Sequence, residues 1–105
     1  MTFGRWYPLE NAPEMTPARA GVLQLRVADG LIDYPRGKSA MIHYTWAPDM
    51  RQRARELADA HPGRPWLCRH SETLATAEAA DIGAAFDRLV ASFRVRFGAE
   101  PTFPR

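Results

Sequence analysis

Apolar and polar residues alternate from Val22 to Val27, with Leu23, Leu25 and Val27 on one side and Gln24 and Arg26 on the other. A period of two is that of a half-buried strand. Asp29-Gly30 follows, a turn pair that suits a hairpin because Gly accepts positive φ, and Leu31 to Tyr34 is the expected returning strand. Pro35-Arg36-Gly37-Lys38 interrupts it. Ala40 to Trp46 is again rich in strand formers and places Ile42, Tyr44 and Trp46 on one face. It is either a third strand or the second one resumed after an insertion.

The pattern then turns helical. Pro48 suits a first helical turn and Asp49 complements the helix dipole. Met50, Ala54, Leu57 and Ala58 carry the apolar side toward His61-Pro62-Gly63. Pro65 to Cys68 reads as a short strand or a buried connection. Ser71, a capping residue type, opens a second helix. Its apolar positions Ala75, Ala79, Ile82, Phe86, Leu89 and Phe93 recur at helical spacing. Phe97-Gly98 closes it, and Pro101 and Pro104 prevent extension. Upstream, Pro8, Pro13 and Pro17 predict an extended segment over residues 1–20, with Trp6, Tyr7 and Leu9 available to pin it to the core. The expected architecture is α+β. A small antiparallel or mixed three-stranded sheet carries two main helices in a single domain over residues 21–105.

Composition narrows the class. The 105 residues are 46% hydrophobic and 25% charged, which excludes a disordered or fibrous chain. One cysteine rules out an internal disulfide, and no apolar run approaches a membrane span. The start lacks a basic-then-apolar signal pattern, so a cytoplasmic location without membrane attachment is expected. The net charge is only +2, and the cations are nearly all arginine, with Lys38 the one lysine. A high-GC codon bias explains that preference as well as phosphate recognition does. Clustering is more informative: Arg51, Arg53 and Arg55 form one group and Arg88, Arg94 and Arg96 another.

Gly21-Val22-Leu23 at the first strand, Tyr44-Thr45-Trp46 at the end of a later strand, and the following Pro48-Asp49-Met50-Arg51-Gln52-Arg53 resemble the GIY-YIG endonuclease superfamily. In that family a Gly-Ile-Tyr strand, a turn, a Tyr-Ile-Gly strand and a helix with an essential Arg follow one another. Met50 and Arg53 fall where that helix carries its apolar residue and its Arg. Phe97-Gly98 and Pro101 resemble the closing helix and tail. The resemblance covers about residues 21–104. It implies a GIY-YIG-like fold and metal-dependent hydrolysis of nucleic-acid phosphodiesters. The chain departs from the pattern in four places: the first Tyr is Leu23, the Gly of the second motif is Trp46, the metal-binding Glu of the late helix has no clear equivalent, and the Asn after the last Pro is missing. The resemblance therefore implies weak or lost catalysis. A second register, with Tyr34 in the second motif, fits the usual gap but separates that motif from Arg53.

Such a hydrolase must activate water, neutralise phosphorane charge and hold a divalent metal. The resemblance assigns the phosphate clamp to Arg53, assistance to Tyr44, and the Mg²⁺ or Mn²⁺ ligand to Asp87, the nearest acid. Arg51, Arg55 and Lys38 are the candidate nucleic-acid contacts. Each has a plainer alternative: an ion pair of Arg53 with Asp49 or Glu56, a core role for Tyr44, a solvated helix face for Asp87. A different class of function is a non-catalytic module binding a protein or small molecule through Trp6, Trp46 and Trp66. A third is chemistry centred on Cys68 and His70, which share a strand face. Gly37-Lys38-Ser39 is not a phosphate loop, because Ile32 stands where the motif needs Gly.

Overall fold

The computed structural model describes residues 1–104. Its centre is an antiparallel sheet of three long strands, β3 (Gly21–Val27), β6 (Met41–Ala47) and β7 (Trp66–Thr73). β3 lies between the other two. Two short N-terminal strands, β1 (Thr2–Phe3) and β2 (Tyr7–Pro8), pair with successive parts of β7, making five strands in all. β4 (Ile32–Tyr34) and β5 (Gly37–Ser39) form a separate two-stranded hairpin. The helices are α1 (Ala12–Met15), α2 (Met50–Ala60), α3 (Thr76–Ala80) and α4 (Ile82–Phe97). No helix among the described residues is long and apolar enough to cross a membrane.

The α+β class and the β3 alternation agree with the sequence. The sheet is larger than the three strands expected, because the N-terminal segment adds two. Residues 1–20 are not simply extended. Pro13 occupies the first turn of α1, where its missing N–H leaves no hydrogen bond unmade. Tyr7, Leu9 and Ala12 from this segment are buried. Leu31 to Tyr34 does not return along β3. β6 takes that place, with Leu23 opposite Thr45 and Gln24 opposite Tyr44. The β4–β5 hairpin is thus an insertion within a larger β3–β6 hairpin.

Ser71 does not cap a helix. It lies within β7, buried, and its hydroxyl accepts the Val22 N–H at 3.1 Å. Asp81 is the cap instead, accepting from the Ala84 N–H at 3.0 Å at the start of α4. At the other end Gly98 adopts φ +81°, the left-handed geometry that ends a helix. Asp49 caps α2 by accepting from Gln52 N–H at 3.2 Å.

Leu23, Leu25 and Val27 face α2 and pack with Met50, Ala54 and Leu57, and with Trp66 and Cys68 of β7. Their cross-strand neighbours alternate accordingly. Thr45, Cys68 and His70 share the α2 side, whereas Tyr44, Gln24 and Arg69 lie on the outer side. α4 packs across the outer side of β6 and the end of β3, and the β4–β5 hairpin is fastened to its C-terminal end. There Arg36 donates to the carbonyls of Arg94 and Val95 at 3.1 and 2.9 Å.

Candidate nucleic-acid interface

Arg53 projects from α2 toward the sheet. Its Nη1 donates to Thr45 Oγ1 at 2.6 Å, and its Nε lies 3.3 Å from Glu56 Oε2. The ion pair along the helix thus forms, beside a hydrogen bond that fixes the guanidinium against β6. Tyr44 is on the other side of the same strand. Its ring meets Phe93 of α4 edge-on at 5.7 Å, and burial raises its hydroxyl pKa. Tyr44 and Asp87 line one open cleft of about 390 Å³, together with His43 and Arg94. Arg53 lines a different, smaller depression with Asp49, Gln52 and Glu56. The structure therefore brings Tyr44 and Asp87 together and leaves Arg53 apart from both.

The remaining candidates divide in the same way. Arg51 donates from Nε to the Thr16 carbonyl at 2.8 Å, tying α2 to the N-terminal segment. Arg51 and Arg55 share their surface with Asp49, Glu56 and Asp59, so that face carries both signs of charge. Lys38 lies on the β4–β5 hairpin, 3.5 Å from Asp33, with both groups exposed. A pair so placed is worth little and leaves the ammonium open to other partners. Lys38 also lines a cleft of about 430 Å³ with Tyr44, Phe93 and Arg96. Glu100 reaches the cleft of Asp87 but is paired with Arg94. Among the described residues no three His, Cys, Asp or Glu side chains converge as a metal centre. A Mg²⁺ or Mn²⁺ ion at Asp87 would find one uncommitted carboxylate, so the residues do not form a closed metal site.

Tyr34 is occupied structurally. Its hydroxyl donates to the Met41 carbonyl at 2.6 Å and accepts from Thr102 N–H at 3.2 Å. Cys68 is fully buried, and burial pushes its thiol up to about 12, so the nucleophilic thiolate is suppressed at neutral pH. His70 Nδ1 meets the Tyr7 hydroxyl at 2.8 Å, and that hydroxyl meets Thr16 Oγ1 at 2.8 Å. This chain of polar groups fastens residues 7–16 to β7. We expect Cys68 to resist an aromatic disulfide reagent in the native protein and to react once urea unfolds it. Rapid stoichiometric labelling of folded protein, followed by absorbance, would show that the pocket around it is open.

The three tryptophans do not make one patch. Trp66 is in the core on the α2 side, Trp46 is 41% exposed beside Gly83 of α4, and Trp6 lies beneath Arg26 and Arg69. That last grouping is the one the sequence reading missed. Arg69 donates from Nε to Gln24 Oε1 at 2.7 Å, and its guanidinium lies 4.8 Å from the Phe3 ring centre and 4.4 Å from that of Trp6. Arg26 lies 5.5 Å from the Trp6 ring centre. The polar side of the β3 alternation, Gln24 and Arg26, was the signal available in the sequence. Its pairing with Arg69 needed the register of β7. No family model, curated protein or solved structure matches the chain in comparison with known proteins.

Proposed function

We propose that the chain is a GIY-YIG-like domain that binds nucleic-acid phosphodiesters and has weak or no hydrolytic activity. The order of parts supports the scaffold: a strand opening on Gly21, an antiparallel partner that carries Tyr44-Thr45-Trp46 before its last residue Ala47, then a helix bearing Arg53. The observation that carries the loss of catalysis is the separation of Arg53 from Tyr44 and Asp87 by strand β6. A phosphate clamp must reach the same phosphorus as the base and the metal, and a side chain held to Thr45 on the opposite side does not. Leu23, where the family has its first tyrosine, is fully buried against α2 and offers no proton acceptor. Loss of a general base alone lowers a rate by about 10²–10⁴.

The test is cleavage of labelled single- and double-stranded DNA and RNA with Mg²⁺ or Mn²⁺, alongside binding of the same oligonucleotides. We expect salt-sensitive binding, and cleavage at background or at a trace level that Arg53→Ala leaves unchanged. Robust metal-dependent cleavage abolished by Arg53→Ala would overturn the proposed loss of catalysis. Absence of binding would overturn the nucleic-acid reading and favour the protein- or small-molecule-binding module.

A further inference from the structure

Arg26 and Arg69 lie together on the outer face of the sheet, on the far side of Tyr44 from the cleft that Asp87 and Glu100 line. Neither Arg26 nor Arg69 takes part in an ion pair among the described residues. Arg69 is only partly exposed. Burial, with Arg26 acting in the same direction, holds its pKa below the ordinary arginine value, and only Tyr44 opposes that shift. A half-buried guanidinium beside a second cation is electrostatically unfavourable until an anion joins it. The hydrogen bond to Gln24 uses only Nε of Arg69, and that of Arg26 to the Val27 carbonyl uses only its Nε. The terminal nitrogens of both forks have no hydrogen-bond partner among the described residues and remain for an oxyanion.

The surroundings indicate what kind of anion. Phe3 and Trp6 lie against the guanidiniums, and Tyr44 is the cross-strand partner of Gln24 on the side away from Arg69. Tyr44 also opens onto the cleft that holds Lys38 and Arg96. Cations thus occur on both sides of Tyr44, interleaved with aromatic rings, on a sheet face. Phosphates spaced along a chain with planar groups between them match that sequence of sites. Unpaired bases can stack on such rings, whereas the bases of a duplex are stacked on one another.

The geometry points to the outer face of β3 and β7, up to the edge of β6 that α4 covers, as a binding track for single-stranded nucleic acid, with one phosphodiester held by Arg26 and Arg69 and the strand running past Tyr44 along the flank of α4 toward Arg96 and Lys38. This rests on the nucleic-acid reading above and adds the strandedness of the ligand and the surface it occupies. It also moves the contact from the arginines of α2 to the opposite side of the sheet.

Fluorescence anisotropy with an end-labelled 12-nucleotide oligothymidylate at low salt tests it. Arg26→Glu places an acid on the track and is expected to weaken binding about tenfold or more. Arg69→Lys keeps a cation but loses the planar fork, and is expected to weaken it about three- to tenfold. Arg64→Ala, on the α2 side beside Trp66, should bind as the parent does. Thermal melts of each variant separate loss of fold from loss of contact. A duplex of the same length should compete about tenfold less well. Binding by the parent that Arg26→Glu and Arg69→Lys both leave unchanged, or equal competition by duplex, would overturn the track while leaving the nucleic-acid reading in place. No binding by the parent would overturn both.

Discussion

Gly21→Ala is expected to destabilise the domain by about 3 kcal/mol, seen as a lower urea midpoint at unchanged slope. A methyl group at this position would lie 2.6 Å from both Met50 Sδ and Ser71 Oγ. Met50 is fully buried and Ser71 almost so, which leaves little room for either to retreat. Forcing a methyl into such a contact costs roughly 1–3 kcal/mol. A displaced Ser71 hydroxyl would also leave the Val22 N–H without its acceptor, at about 1–3 kcal/mol for a buried donor. Against a total of about 5–15 kcal/mol for a typical domain, this is a large fraction. The effect arises from close approach, since the backbone of Gly21 is not in the left-handed region. A midpoint within error of the parent would show that Met50 and Ser71 move freely.

The second large effect is acid sensitivity centred on His43. Its imidazole stacks on Phe103 at 4.5 Å, and its pKa is lowered to about 4, chiefly by burial, with His61 and Arg53 acting in the same direction. Asp87 and Glu100 line the cleft that His43 also borders. The folded state therefore resists the proton that the unfolded chain takes up near pH 6.5. Stability from this group is full above about pH 6.5 and is lost as pH falls through 4, because the unfolded state binds more protons in that window. The shift sets an upper limit of about 3 kcal/mol. Partial exposure reduces that to about 1–2 kcal/mol. Urea melts between pH 7.5 and 4, with the His43 ring followed by NMR, check this. Titration of His43 near 6.5 in the folded protein would contradict it.

The parts of the fold legible in the sequence were those governed by local chemistry. The alternation of β3, a helix beginning near Pro48-Asp49 and the Gly98 stop of α4 all came from residue types at fixed offsets, although α2 starts at Met50 with Pro48 outside it and Asp49 as its cap. Ser71 misled because a capping residue and a strand residue that bonds a neighbour's N–H use the same hydroxyl. Nothing nearby in sequence reveals that Val22 is the partner. The eight residues of β7 were foreshortened for the same reason: a helix start at Ser71 leaves no room for the strand to run on through Arg69 and His70 to Thr73, where Gln24 and Tyr7 engage the two polar side chains. The β4–β5 insertion hid the true partner of β3, since Asp29-Gly30 suggests a return that the chain makes only from Met41 onward.

Of the candidate site, the sequence offers residues but not their layout. Tyr44 and Asp87 do share a cleft, and Lys38 does lie near Tyr44. Arg53 is ordered by Thr45, one residue from Tyr44 in sequence but on the opposite side of the strand. In a strand, that single step reverses the direction in which a side chain points. The Arg26–Arg69 pair requires a cross-strand register over forty residues of sequence, which no short motif encodes.

The most direct measurement is the affinity of the unmodified protein for an end-labelled 12-nucleotide single strand across a series of salt concentrations. Arg26, Arg69, Arg96 and Lys38 engaging about three to four phosphates should make the logarithm of the association constant fall linearly with the logarithm of salt, with a slope of about −2 to −3. No association at low salt, or an affinity indifferent to salt, would contradict phosphate recognition by this domain.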